Sequence, residues 1–249
     1  MKRLILIVSF FGITLTNAQV NIGIKAGYNL SRVTGDWEAL LEDFLNVNLQ
    51  SFNINPEFDP KFRSGFNAGL FAEIKLSENF YLQPEALYCL KGVKFNDTFD
   101  FQGEFGGSFV DVDGEYNYGQ KLNYLEIPVL AKYKSRGGFV IFAGPYVAFL
   151  LSAGGEVLIE ANINTNFFGF PINGPQEFTQ DGLQTEDFNT IDFGIAAGLG
   201  YEFPFGFGID ARYVKGMINI SKDLEDEMFT NSSIQVGVSY KIAVIGKKE

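Results

Sequence analysis

Val20-Asn-Ile-Gly-Ile-Lys-Ala-Gly-Tyr-Asn-Leu30 decides the fold. Val20, Ile22, Ile24, Ala26, Tyr28 and Leu30 share one face, and Asn21, Gly23, Lys25, Gly27 and Asn29 share the other. A period of two, with one apolar and one polar face, means a strand in a two-sided sheet. The pattern returns over Arg63 to Leu76, where Phe66, Ala68, Leu70, Ala72 and Ile74 oppose Gly65, Asn67, Gly69, Glu73 and Lys75. Six further segments read the same way, near residues 80–94, 120–133, 139–152, 189–203, 207–216 and 231–243. The expectation is eight strands.

The connections alternate in length. Ser77-Glu78-Asn79, Lys134 to Gly138 and Pro204-Phe205-Gly206 are tight turns, whereas Arg32 to Phe62, Phe95 to Gly119, Ala153 to Phe188 and Met217 to Thr230 are long loops. Short turns at one end and long loops at the other are the habit of transmembrane barrels. Charge divides in the same way: the four long connections carry 22 acidic residues against 3 basic ones. The sequence therefore predicts an all-β, eight-stranded antiparallel up-and-down transmembrane barrel, polarised along its axis, with periplasmic turns and extracellular loops. A weak repeat, Gly69-Leu-Phe-Ala-Glu73 and Gly198-Leu-Gly-Tyr-Glu202, precedes two of the turns.

A soluble ligand-binding barrel would also alternate, with its apolar face inward. The apolar face here ends in aromatics near the turns (Phe80, Tyr133, Phe139, Tyr201, Phe203, Phe207 and Tyr240), with Tyr28 and Tyr88 at its far end. Two interfacial girdles fit this. The polar face carries Lys25, Arg63, Lys75, Lys91, Lys132, Arg212 and Lys241 against Glu73, Glu85, Glu126, Asp192, Glu202 and Asp210. A cramped interior needs that balance, because unpaired buried charge is expensive. Pro84 and Pro128 fall within strand patterns and predict local bulges.

Composition narrows the rest. No apolar run after residue 20 reaches the length of a membrane helix. Residues 1–18, with basic Lys2-Arg3, apolar Leu4 to Leu15 and small Thr16-Asn17-Ala18, read as a signal peptide; residues 19–249 are the barrel domain. The single cysteine, Cys89, cannot form an internal disulfide. A net charge of −11 argues against nucleic acid as a partner.

Gly23-Ile-Lys-Ala-Gly-Tyr-Asn-Leu-Ser31, Leu82-Gln-Pro-Glu-Ala-Leu-Tyr88 with Lys91-Gly92, Leu122-Asn-Tyr-Leu-Glu-Ile-Pro128, Ala143-Gly-Pro-Tyr146 and Asp210-Ala-Arg-Tyr213 resemble the PorT-like outer-membrane β-barrel family of Bacteroidetes. The resemblance lies in the strands. It implies residence in the outer membrane of a Gram-negative bacterium, and links to type IX secretion and gliding for some members. The signal sequence, the even strand count and the alternation of short turns with long loops predict that the N- and C-termini are periplasmic. It implies no catalytic residues. Such barrels often end on an aromatic residue, whereas here Tyr240 and Ile242 are followed by Ala243 to Glu249.

The chain has no histidine, so Ser-His catalysis and imidazole metal sites are excluded. The strand carboxylates have bases in the same phase, which points to a structural ion-pair network rather than acid–base chemistry. Counted inward from the tight turns, Glu73, Glu85, Glu126, Asp210 and Arg212 lie at similar depth, as does Lys25 on the first strand. They are expected to meet in one layer, with Arg212 as hub to Glu85 or Glu126 and Lys25 on a remaining acid. Asp111-Val-Asp-Gly-Glu115 is a candidate for weak divalent-cation binding by Asp111, Asp113 and Glu115, set against a plain solvated loop, since the twelve-residue calcium spacing is missing. Trp37, Leu40, Leu41, Phe44 and Leu45 have helical spacing, and Phe167-Phe-Gly-Phe-Pro171 is an apolar loop run. No cofactor is implied. The expected partners are outer-membrane lipid and other outer-membrane or secretion proteins, with the barrel itself a monomer. A closed interaction or structural barrel is favoured over a small channel or ligand-uptake barrel, because Tyr81, Leu87, Tyr124, Leu130, Phe142 and Tyr146 share the inward phase. An enzyme is the third reading.

Overall fold

The computed structural model describes residues 19–35, 60–105, 108–167, 170–222 and 228–245. The expected leader and the segment Trp37–Leu45 lie outside the described residues, as do Phe168 and Gly169. Among the described residues no helix is long and apolar enough to cross a membrane. The strands are β1 (Val20–Thr34), β2 (Lys61–Lys75), β3 (Phe80–Phe105), β4 (Ser108–Lys134), β5 (Phe139–Phe167), β6 (Phe170–Asp181), β7 (Ile191–Glu202), β8 (Phe207–Gly216) and β9 (Thr230–Ile245). Eight of them form an antiparallel ring in chain order, with β6 outside it. The ring shuts where the first strand meets the last, from Val20 opposite Ile245 to Thr34 opposite Thr230. Closure leaves the ring without an edge, so backbone groups at membrane depth are paired around the circumference.

Two of the tight turns rest on glycines in the left-handed region. Gly138 (φ 88°) closes Ser135–Gly138 and Gly206 (φ 89°) closes Phe203–Gly206, each donating its N–H back to the residue that opens the turn. Above the turns runs an aromatic girdle in which Phe80 meets Tyr133 and Phe139 meets Tyr201, each pair with ring centroids 5.3 Å apart. Phe66 and Tyr88 pair at the opposite end of the apolar belt.

The apolar face points outward. Leu199 is 64% exposed and Leu70 56%, while Glu73, Glu126 and Asp192 are each 0% exposed. A belt of apolar side chains with charges sealed inside belongs against lipid. Deeper toward the long-loop end the lumen fills with apolar groups: Leu122, Leu150 and Val93 pack with Phe188, Ile220 and Phe229. The connections supplying the last three are tied together, Asn189 N donating to the Ile220 carbonyl and Ile220 N to that of Phe229.

Two stretches read as long loops fold differently. Most of Phe95–Gly119 continues β3 and β4, and most of Ala153–Phe188 continues β5 and forms β6. The alternation does not stop at the end of the membrane belt; it inverts. Phe95, Tyr116 and Tyr118 continue the lumen-facing phase and lie on or against the interior core. Their neighbours Asn96, Thr98, Glu115 and Asn117 continue the lipid-facing phase, now toward water. The result is a four-stranded sheet, β3-β4-β5-β6, standing beyond the ring. At ~3.3 Å per residue its hairpins rise about 35 Å.

The prolines also differ from expectation. Pro84 stays in register opposite Val129, and Pro128 opposite Tyr146. The register shifts fall elsewhere, at Ile22/Gly23, Phe62/Asn67 and Asn123/Tyr124. The ladder absorbs each proline by leaving neighbouring positions unpaired rather than by inserting a residue.

Because the protruding sheet stacks on a ring that is already closed, the ring should form without it. Excising 98–115 and 160–177, and rejoining Asp97 to Tyr116 and Ile159 to Phe178 through Asn-Gly turns, removes matched cross-strand pairs and preserves register. The shortened chain should still show the gel mobility shift on heating that marks a folded barrel. Loss of that shift would make the extension part of the folding unit.

Candidate functional site

Inward-facing positions place the charges of the lumen in three tiers. Nearest the short turns, Glu73 meets Lys132 at 2.5 Å and Lys241 at 2.5 Å, and Glu202 meets Lys241 at 2.6 Å, Lys134 at 2.5 Å and Lys132 at 3.2 Å. Asn21 donates to Glu73 and Lys132 donates to the Gln83 side-chain oxygen Oε1. Gln83 in turn donates to Glu85 at 2.6 Å, linking this tier to the next.

The middle tier is built on Arg212. Its guanidinium grips Glu85 with two parallel bonds, 2.8 Å and 3.0 Å, and both side chains are fully buried. Lys25 donates to Asp210 at 2.6 Å, and Arg212 Nε reaches Asp210 at 3.4 Å. The Phe142 ring lies under both cations, 5.1 Å from Arg212 and 5.9 Å from Lys25. A bidentate fork on a carboxylate is the strongest neutralisation available to a buried acid.

In the third tier Lys91 meets Glu126 at 2.6 Å and sits over the rings of Tyr146 and Tyr124. Asp192 is held by Tyr146 Oη at 3.1 Å and Asn231 Nδ2 at 3.0 Å. Among the described residues no cation lies within 4.0 Å of Asp192.

Of the six residues expected in one layer, Arg212, Glu85, Lys25 and Asp210 meet. Glu73 and Glu126 do not; they sit in the tiers on either side. The reason is stagger. Asn21 is opposite Glu73 while Lys25 is opposite Gly69, so Glu73 lies two repeats of the pleat closer to the short turns than Lys25 does. Counting inward from each turn ignores the shear that tilts every strand against its neighbours. Their partners Lys91, Lys132, Lys241 and Glu202 carried the right phase in the sequence, but only the register assigns them.

Asp111, Asp113 and Glu115 fall on one outward face of β4, in the protruding sheet. As alternate residues of an extended strand they stand about 7 Å apart, with Asp111 and Glu115 about 13 Å from each other, so the three do not converge on one point. Asp113 instead accepts from Asn162 at 3.2 Å, and Glu115, Glu160 and Glu177 form a cross-strand row. Among the described residues no group of three or more Cys, Asp or Glu side chains converges to hold a metal.

Arg212→Ala would leave Glu85 buried without its partner, at a cost of roughly 3–5 kcal/mol. Arg63→Ala, at the long-loop rim, should cost under about 1 kcal/mol. Denaturant unfolding of both variants in detergent micelles checks this. Equal losses would show that the tiers are a solvated lining.

The chain matches the family model described as outer membrane protein beta-barrel domain over residues 16–222. A comparison with curated proteins gives no significant match. Among solved structures it is similar to Ail, the attachment invasion locus protein of Yersinia pestis, with 15% identity over 91% of this chain and 99% of that one, at a TM-score of 0.36. Neisserial surface protein A is 10% identical over 89% and 97%, at 0.40, and the outer membrane protease OmpT from Escherichia coli is 10% identical over 92% and 98%, at 0.24. None of these is close enough to lend the chain an activity. The family match, the lipid-facing belt and the closed eight-strand ring agree: the chain belongs to the outer membrane protein beta-barrel domain family.

Proposed function

We propose that the protein is a closed, non-enzymatic outer-membrane barrel that presents its protruding sheet to partners outside the cell, as a structural or interaction component in secretion or adhesion. The observation that carries this reading is the filled lumen. The cavity beside the middle tier, between Lys25, Arg212, Phe142 and Glu202, measures about 30 Å³, which is room for one water or two. The apolar groups of Val93, Leu122, Phe188 and Ile220 occupy the other end. Transport of a solute through this interior would require the tiers to come apart. The resemblance of the strands to PorT-like barrels points the interaction reading toward secretion.

The orientation we propose puts the short turns and both termini in the periplasm and the protruding sheet outside. The acidic residues of the long connections support it, since such a surface stays solvated and apart from other anionic chains. The lone cysteine, Cys89, is buried, so introduced cysteines can be labelled selectively. Thr179→Cys, exposed on β6, should react with a membrane-impermeant maleimide on whole cells, and Ser77→Cys, exposed in a short turn, only after permeabilisation. The reverse pattern overturns the orientation.

A small channel or uptake barrel is the competing reading. Purified protein in planar bilayers should give no steady conductance, and a reproducible single-channel step would favour the channel.

A further inference from the structure

At the long-loop rim, cations gather on the lipid-facing side of the wall. Lys61 stands directly opposite Lys94 across β2 and β3, and Lys94 is opposite Gly119. Lys121, on β4, is opposite Gly92 on one side and Gly154 on the other. Like charges on facing strand positions repel. Nevertheless, among the described residues no carboxylate lies within 4.0 Å of Lys61, Arg63, Lys94 or Lys121.

The glycines turn this cluster into a groove. Gly92 cannot carry a side chain: a Cβ there would fall 1.9 Å from the Gln120 carbonyl and 2.9 Å from Arg63 Cδ. Arg63 therefore lies flat across it, with Nη1 3.3 Å from where a Cβ on Gly119 would stand. Around Gly154 there is open space. The trough of about 480 Å³ is lined by Arg63, Lys94, Lys121, Gly119 and Gly154, with Asn96 and Asn117 beyond them and Glu156 at its β5 side. Arg63 Nε is buried there without a hydrogen-bond partner. Lys94 and Lys121 are exposed, and Lys61 donates to the Asn96 carbonyl.

The height of the trough identifies its occupant. The apolar belt below it ends at Phe66, Tyr88, Leu125 and Leu151, all exposed. Lys121 lies four residues past Leu125, about 10 Å along the axis of a tilted strand. Headgroups add about 5–8 Å to each side of the hydrocarbon core, so Lys121 stands at their outer edge, from which a long lysine side chain reaches back to the phosphate. A surface otherwise rich in carboxylates thus concentrates its cations where a bilayer presents phosphate.

We propose that Arg63, Lys94 and Lys121, with Lys61 beside them, form a binding site for the phosphate-bearing headgroup of a lipid in the leaflet at the long-loop end. The guanidinium supplies planar, directed donors and the lysines supply point charge. The site rests on the membrane-barrel reading. It does not depend on which leaflet that is: labelling of Thr179→Cys and Ser77→Cys tests orientation separately, and a reversed barrel would retain the site for a phospholipid.

Equilibrium binding of the full chain, refolded in a non-ionic detergent without phosphate, tests it with diphosphorylated lipid A, dephosphorylated lipid A and inorganic pyrophosphate as probes. Diphosphorylated lipid A should bind at least tenfold more tightly than the other two, with an affinity that falls as salt rises. Removing one surface cation lowers affinity about fivefold, so Lys94→Gln with Lys121→Gln should lower it about thirtyfold. The same charge change at the opposite rim, Lys75→Gln with Arg136→Gln, should leave it within about twofold. Both pairs replace exposed side chains, and the heat-dependent gel shift checks that each variant folds. Equal binding of dephosphorylated lipid A, an equal loss in the opposite-rim pair, or pyrophosphate binding as tight as lipid A would overturn the proposal.

Discussion

The pairing of β1 with β9 is the constraint from which the remaining features follow. Hydrocarbon offers no water to a backbone N–H or carbonyl, and each group left over costs several kcal/mol. A strand array in a membrane must therefore close on itself, and here it does so along the whole first strand, from Val20 to Thr34. Once eight strands are closed, the interior has room only for side chains. The outward face must be apolar because lipid is the solvent. Everything polar within the belt is pushed into a narrow lumen, where a charge must meet its opposite or directed hydrogen-bond donors.

That requirement explains the tiers, and the inversion of polarity marks where it ends. Within the belt Leu125 faces outward and Glu126 inward; past the rim Glu115 faces outward and Tyr116 joins the interior core. The same two-residue period runs through both regions, so the backbone continues as strand while the chemistry of its two faces changes places. The sheet beyond the rim has ends the ring does not have. β6 pairs with β5 along one edge, and its prolines, Pro171 and Pro175, are residues that blunt an exposed edge against further pairing.

The ring strands, their order and the direction of their apolar face were legible in the sequence because each rests on a local period of two. Three things were not. The protruding sheet was hidden because its alternation has opposite polarity to that of the membrane strands, and acidic composition between them reads as loop. The choice between Glu85 and Glu126 as partner of Arg212, and the pairing of Glu126 with Lys91, could not be read because depth in a sheared barrel depends on cross-strand register, which no single strand encodes. The trough at the rim was invisible for a related reason: Arg63, Gly92 and Gly119 lie on three different strands, and a register shift between Phe62 and Asn67 swings Arg63 away from the lumen phase it holds in the sequence.

The tiers also differ in charge, and the difference has a direction. Nearest the short turns, Lys132, Lys134 and Lys241 face Glu73 and Glu202, an excess of cations. In the middle, Arg212 and Lys25 balance Glu85 and Asp210. Toward the long-loop end, Lys91 stands against Glu126 while Asp192 depends on the neutral donors Tyr146 and Asn231. The interior thus runs from positive to negative in the same sense as the whole chain, whose acidic residues collect in the long connections. Such a gradient is sustainable because the middle tier is neutral: the fork of Arg212 on Glu85 separates the two unbalanced ends by a layer in which each acid has its own cation. The end with surplus lysine is also the one that water reaches, since Lys134 is 27% exposed, so its excess charge is solvated rather than buried. The surplus acid at the other end has no such outlet, and there the chain supplies hydroxyl and amide donors where a second cation would have stood.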